Sequence, residues 1–224
     1  MTFLLADSRQ WRPQMAENLE RRTGRPFYTV STSDELSAER LAALGIERAF
    51  FPFWSHRIPA SVYESVECVI FHMSDLPFGR GGSPLQNLIG RGATRTKISA
   101  VKCAEQLDAG PIYLKRPLSL EGTAEEIYVR ASEIIEDMIA EIMQTSPVPV
   151  AQEGEPVVFR RRTSQESSIA PLRDIAEVYD HIRMLDAPGY PHAYLETEHM
   201  WLEFRRATLV DDTVTAEVVI RRKA

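Results

Sequence analysis

Cysteine is scarce in this chain: only Cys68 and Cys103 occur among 224 residues, each inside an apolar run of strand character. Two thiols so placed give neither a disulfide framework nor a zinc-ligand spacing, and they read as buried thiols of a reducing compartment. An excess of positive charge is also lacking. With a formal net charge of -6 there is no overall positive field to draw in phosphate backbones, so no nucleic-acid partner is expected. No stretch reaches 18 apolar residues and Met1 to Asp7 has no basic segment, which predicts a soluble cytoplasmic protein without membrane contact. His56, His181, His192 and His199 share no ligand spacing with carboxylates or cysteines, so no metal is expected. The glycines of Gly79-Arg80-Gly81-Gly82 do not form a G-x-G-x-x-G opening a helix after the first strand, which argues against a dinucleotide site.

What is present is the composition of a globular protein, 44% hydrophobic and 26% charged. The length suits one main domain with a small appendage. Apolar runs at Thr2 to Ala6, Phe27 to Val30, Ala49 to Trp54 and Cys68 to Phe71 read as strands, with helical stretches at Gln14 to Arg22 and Glu35 to Leu44. This alternation predicts an α/β fold, a parallel sheet with helices on both faces. A short helix after Pro84, strands at Lys97 to Lys102 and Ile112 to Lys115, and a strong helix opening at Gly122-Thr123 follow. The prolines and glycine of residues 145 to 156 mark a connector. It divides the chain into a main domain, 1–150, and a small α+β extension, 157–224. In the extension, Pro171 to Leu185 reads as an amphipathic helix before strands near 193 to 209 and 214 to 220.

Chemistry concentrates in two loops. The first, Phe71-His72-Met73-Ser74-Asp75-Leu76-Pro77-Phe78-Gly79-Arg80-Gly81-Gly82-Ser83-Pro84, leaves the end of a buried strand, where open α/β sheets place their ligand crevice. The second is the turn Leu107-Asp108-Ala109-Gly110-Pro111, which presents a carboxylate beside another strand. Histidine near a carboxylate is a general acid-base pair whose working range lies close to neutral pH.

His72, Ser74, Leu76, Pro77, Arg80, Gly81, Pro84, Asp108, Gly110 and Ile112 together resemble the signature of the folate-dependent formyltransferases, and Phe53-Trp54-Ser55-His56-Arg57-Ile58-Pro59 resembles the aromatic-rich turn that grips the pterin in that family. The resemblance covers roughly residues 45 to 130. It implies a Rossmann-like formyltransferase fold, a formyl donor N10-formyltetrahydrofolate, and His72 and Asp108 as catalytic residues. Trp54, Arg57, Ile58, Leu107 and Asp108 would hold the donor, and Ser74, Arg80, Gly81 and Asn87 the acceptor. A weaker likeness links Arg160-Arg161-Arg162-Thr163 and the stretch through Ala187-Pro188-Gly189-Tyr190-Pro191 to the C-terminal extension of transfer-RNA and sugar formyltransferases.

Because the extension is short and the chain acidic, the resemblance points to a small primary amine as acceptor, an amino sugar nucleotide above all, and by family habit to a possible homodimer. Alternatives are a catalytically degenerate folate-fold binding protein, a formyltetrahydrofolate hydrolase and a methionyl-tRNA formyltransferase. One departure stands out. Where the family carries an Asn two residues before the histidine, this chain has Ile70, which has no donor for an oxyanion. Asn87, Ser74 and a protonated His72 are the candidates to replace it.

Overall fold

The computed structural model describes residues 2–223. It opens with β1 (Thr2–Ala6), α1 (Met15–Thr23) and β2 (Phe27–Val30), followed by α2 (Ala38–Ala43), β3 (Ile46–Phe51), α3 (Ala60–Ser65) and β4 (Glu67–His72). Next come β5 (Phe78–Gly81), α4 (Pro84–Ile89), β6 (Arg95–Lys102), β7 (Ile112–Ser119) and α5 (Ala124–Thr145). The chain closes with β8 (Val157–Phe159), α6 (Ile175–Arg183), β9 (Ala193–Glu196), β10 (Met200–Val210) and β11 (Thr213–Arg222).

Six strands form one sheet in the order β2-β1-β3-β4-β6-β7. β1, β2, β3 and β4 run parallel, while β6 runs antiparallel to β4 with His72 opposite Ser99. The sheet is therefore dominated by parallel pairs and not purely parallel. The expected helix over Glu35 to Leu44 is split for a local reason. Thr32 and Glu35 close a capping box around a single turn at Ser33–Glu35, and Ser37 then caps a new helix by accepting from the Arg40 amide. Likewise α6 starts at Ile175 because the Asp174 side chain accepts from the amides of Ala176 and Glu177.

Contacts gather the chain into two compact units: one holds residues up to Gly81 with Thr96–Leu118 and Val129–Val158, and the other holds Gly82–Arg95, Ser119–Tyr128 and the chain from Phe159 onward. In the first unit, Leu4, Ala6, Leu41, Ala49, Phe51, Ile58, Val62 and Cys68 form one apolar cluster against which Trp54, Ile70 and Cys103 pack. Ala131, Ile135, Met138 and Ile142 of α5 are fully buried there. Each isoleucine and methionine among them contributes on the order of 1.5–3 kcal/mol on removal from water.

The second unit carries the antiparallel sheet β11-β10-β9, with α6 packed on β10 and β11. The Arg183 side chain is buried and satisfied, donating to the carbonyls of Leu120 at 2.5 Å and Gly122 at 3.0 Å and pairing with Asp180 at 2.7 Å. Tyr194 stacks on Trp201 with ring centroids 3.9 Å apart. Among the described residues no helix is long and apolar enough to cross a membrane.

Candidate active site

β4 lies between β3 and β6, which explains why Cys68, Val69, Phe71 and His72 are all buried. The strand delivers His72 to its final position, 7% exposed, at the edge where β1 and β3 also end. Two oxygens flank the imidazole: Nε2 lies 2.7 Å from the Gly79 carbonyl oxygen, and Nδ1 lies 3.5 Å from Oδ2 of Asp108. Both are acceptors; the Nε2 contact is a hydrogen bond, while the Nδ1 contact is within ion-pair range but long for a hydrogen bond. Asp108 is itself buried, and its Oδ2 also accepts from the Gly81 amide at 2.9 Å.

The loop from Met73 to Gly79 is held from beneath. The Ser74 hydroxyl donates to the same Gly79 oxygen at 3.3 Å, while the Ser99 hydroxyl donates to the Ser74 carbonyl at 2.8 Å and accepts from the Leu76 amide at 3.3 Å. The Leu76-Pro77 peptide is cis. Burial alone raises the Asp75 carboxyl, but Lys115 at 2.5 Å and Lys97 at 2.9 Å outweigh it and hold the group below its usual range.

Asp108 takes a left-handed backbone, φ 53, in the turn that ends at Gly110. A Cβ on Gly110 would stand 1.8 Å from the Lys102 carbonyl oxygen, so only glycine lets the turn close against the end of β6. Just before the turn, burial and then the Asp108 charge push the Cys103 thiol up to about 11. Cys103 thus stays protonated at neutral pH and is no nucleophile.

The remaining expected site residues fall in two places. In the first unit, Arg80 directs Nε and Nη2 at Oε1 of Gln152, at 3.1 and 2.7 Å. Ile58 is buried, Arg57 is exposed, and Ile70 packs on the apolar cluster with no polar atom to offer. Asn87 belongs to the second unit, where its Nδ2 donates to the carbonyls of Gly82, Ser83 and Arg160 and its Oδ1 accepts from Arg91. Those bonds occupy its amide fully and leave no N–H for an oxyanion.

Two features fit a flat ring rich in acceptors, such as a pterin. Trp54 Nε1 is buried without a hydrogen-bond partner, a donor whose desolvation is uncompensated, and Leu107 next to Asp108 is 64% exposed. Gln152 was not legible in the sequence as a site residue, since its segment reads as a connector. Its amide nitrogen donates to the carbonyls of Asp108 at 2.7 Å and Gly110 at 2.8 Å. The one available signal is Val150, whose backbone bridges to Ile112 and so brings the segment alongside β7.

A family model described as the C-terminal domain of methionyl-tRNA formyltransferase matches residues 164–221. A methionyl-tRNA formyltransferase of Gluconobacter oxydans is 29% identical over 180 residues, covering 78% of this chain but only 59% of that protein. A solved methionyl-tRNA formyltransferase from Clostridium thermocellum is 44% identical, covers 100% of both chains and superposes with a TM-score of 0.96. HypX from Aquifex aeolicus, solved in complex with tetrahydrofolic acid, shares the fold at 17% identity and TM-score 0.74, over 92% of this chain and 37% of that one.

These relatives overturn the expectation of a small amine acceptor and no nucleic-acid partner. A protein of matching length, alike from end to end, is named for methionyl-tRNA, so a short extension does not single out amino sugars. The net charge misled because it averages over the whole surface, whereas recognition depends on local patches.

Proposed function

The chain belongs to the formyltransferase family that includes the methionyl-tRNA formyltransferases, and from that premise we propose that it moves a formyl group from N10-formyltetrahydrofolate to the amino group of methionyl-tRNA. The observation that carries the reading is the buried His72–Asp108 pair at the end of β4, in a chain 44% identical along its full length to a solved methionyl-tRNA formyltransferase. The folate supplies the formyl carbon as an activated amide. Trp54, through its unpartnered indole N–H, and the exposed Leu107 are suited to seat it, with Ile58 and Arg57 of the turn after β3.

His72 Nε2 and Ser74 Oγ converge on one oxygen, that of Gly79. Turned from that oxygen to the substrate's, they are the donors that would serve a carbonyl oxygen that gains charge, in place of the amide that Ile70 lacks. Asp108 faces Nδ1 and orients the ring, and it is the base for the proton that leaves the attacking amine; as the new C–N bond forms, the bond to N10 breaks and tetrahydrofolate leaves with a proton on N10. A positioned acid-base group of this kind contributes on the order of 10²–10⁴ in rate.

The test is direct. The chain is incubated with N10-formyltetrahydrofolate and methionyl-tRNA, the RNA is digested, and the methionyl fragment is weighed by mass spectrometry. A gain of one formyl group on the methionine is expected. Formate release without a formylated acceptor, or formylation of an amino sugar nucleotide with none on the tRNA, contradicts the reading. Folate binding without any turnover would mark a decayed enzyme, the alternative that Ile70 suggests.

A further inference from the structure

We propose that Gln152 is a positioning residue for the catalytic carboxylate of Asp108, a role that rests on the functional reading above. The side chain spans the Asp108 turn from outside. Its amide nitrogen donates to the Asp108 and Gly110 carbonyls, at 2.7 and 2.8 Å, bracketing the left-handed residue on its C-terminal side. Its oxygen receives both Nε and Nη2 of Arg80. Neither end of the amide can be exchanged: carbonyls have no proton to give and a guanidinium has no acceptor, so the orientation is dictated by its partners.

The arrangement closes into a ring. Arg80, which holds Gln152, is followed by Gly81, whose amide donates to Asp108 Oδ2, the same oxygen that faces His72 Nδ1. Backbone and carboxylate of Asp108 are thereby gripped by one short stretch of β5 and one side chain. The carboxylate–imidazole separation is 3.5 Å, long for a direct hydrogen bond, so small rotations of the turn decide whether the two groups couple. Holding a reacting group to within a fraction of an ångström is where rate is gained, and a 1 Å error costs on the order of a hundredfold.

Gln152→Glu is the decisive variant, because it keeps the pairing with Arg80 while setting a carboxylate oxygen against two carbonyls. With formyl donor and methionyl-tRNA, kcat should fall about tenfold or more while KM for both substrates stays within about twofold. On an Asp108→Asn background the same change should cost nothing further, since it acts only through the carboxylate. In the unliganded chain, ¹⁵N-histidine NMR signals of His72, assigned by their loss in His72→Asn, should shift in Gln152→Glu. Arg80→Lys should reproduce the kcat loss and the NMR change in weaker form, and it replaces Gln152→Glu if that variant does not fold. Wild-type kcat in Gln152→Glu, losses that multiply with Asp108→Asn, or His72 signals that do not move each overturn the proposal. A wild-type chain without turnover would instead indict the functional reading and leave the NMR comparison to decide the role of Gln152.

Discussion

Asp108 holds a backbone conformation that costs an ordinary side chain about 1–3 kcal/mol, and the turn around it is fixed by contacts that outweigh this cost. Asparagine tolerates the same conformation, so Asp108→Asn should fold with an unchanged thermal midpoint while kcat falls about a hundredfold or more. A variant at wild-type rate would remove the carboxylate from the mechanism. At Gly110 the constraint is purely steric: Gly110→Ala should lower the unfolding free energy by about 2 kcal/mol in urea titration, because a methyl group has to displace the Lys102 carbonyl. Ile70→Asn places an amide against the apolar cluster and should cost about 1–3 kcal/mol in stability without raising kcat. A gain in kcat of an order of magnitude would mean that the natural residue is a degenerative change. His72 and Asp108 were singled out in the sequence through the family motif they share, and the structure sets them 3.5 Å apart, one at the last position of β4 and the other in the turn before β7. Gln152 was not, because its N–H groups bind backbone carbonyls and its oxygen a distant arginine, and no residue spacing encodes partners brought near by folding.

Among the elements, α6 carries a pH dependence. Burial, assisted by the charge of Arg162, holds the His181 imidazole below its ordinary 6.5, and burial followed by Arg205 does the same for His192. The unfolded chain therefore takes up these protons first, and the stability that neutral His181 contributes is present above 6.5 and lost as pH falls below it. The unfolding midpoint should drop on acidification below pH 6.5, and His181→Gln should flatten that slope. A slope identical to wild type would remove His181 as its source. The elements read correctly from sequence were those with a sustained pattern, such as the buried stripe of α5 and the amphipathic α6, whereas the strand expected near 193 to 209 is two, β9 and β10. The missed ones, α3, β5 and β8, are six residues or fewer, too short to display a period. The antiparallel entry of β6 was hidden too, since direction in a sheet depends on a connection whose path the residues of the strand do not record.

At the scale of the whole molecule, the α/β class and the family were legible because motif residues from β4, the Asp108 turn and the aromatic turn after β3 recur in fixed order. The acceptor was not, since a net charge of -6 carries no information on where the charges lie. In chain order we keep the division into 1–150 and 157–224 as a proposal; the compact units are each built from several segments that alternate along the chain, with α4 grouped with the chain from Phe159 onward. The most direct measurement is the single-turnover rate of formyl-methionyl-tRNA formation by the wild-type chain, His72→Asn, Asp108→Asn and the double variant. Each single change should slow the step by about a hundredfold or more, and the double variant should be hardly slower than the worse of the two, as for groups that act as a unit. Rates near wild type in either single variant, or losses that simply multiply, would contradict catalysis by the His72–Asp108 pair.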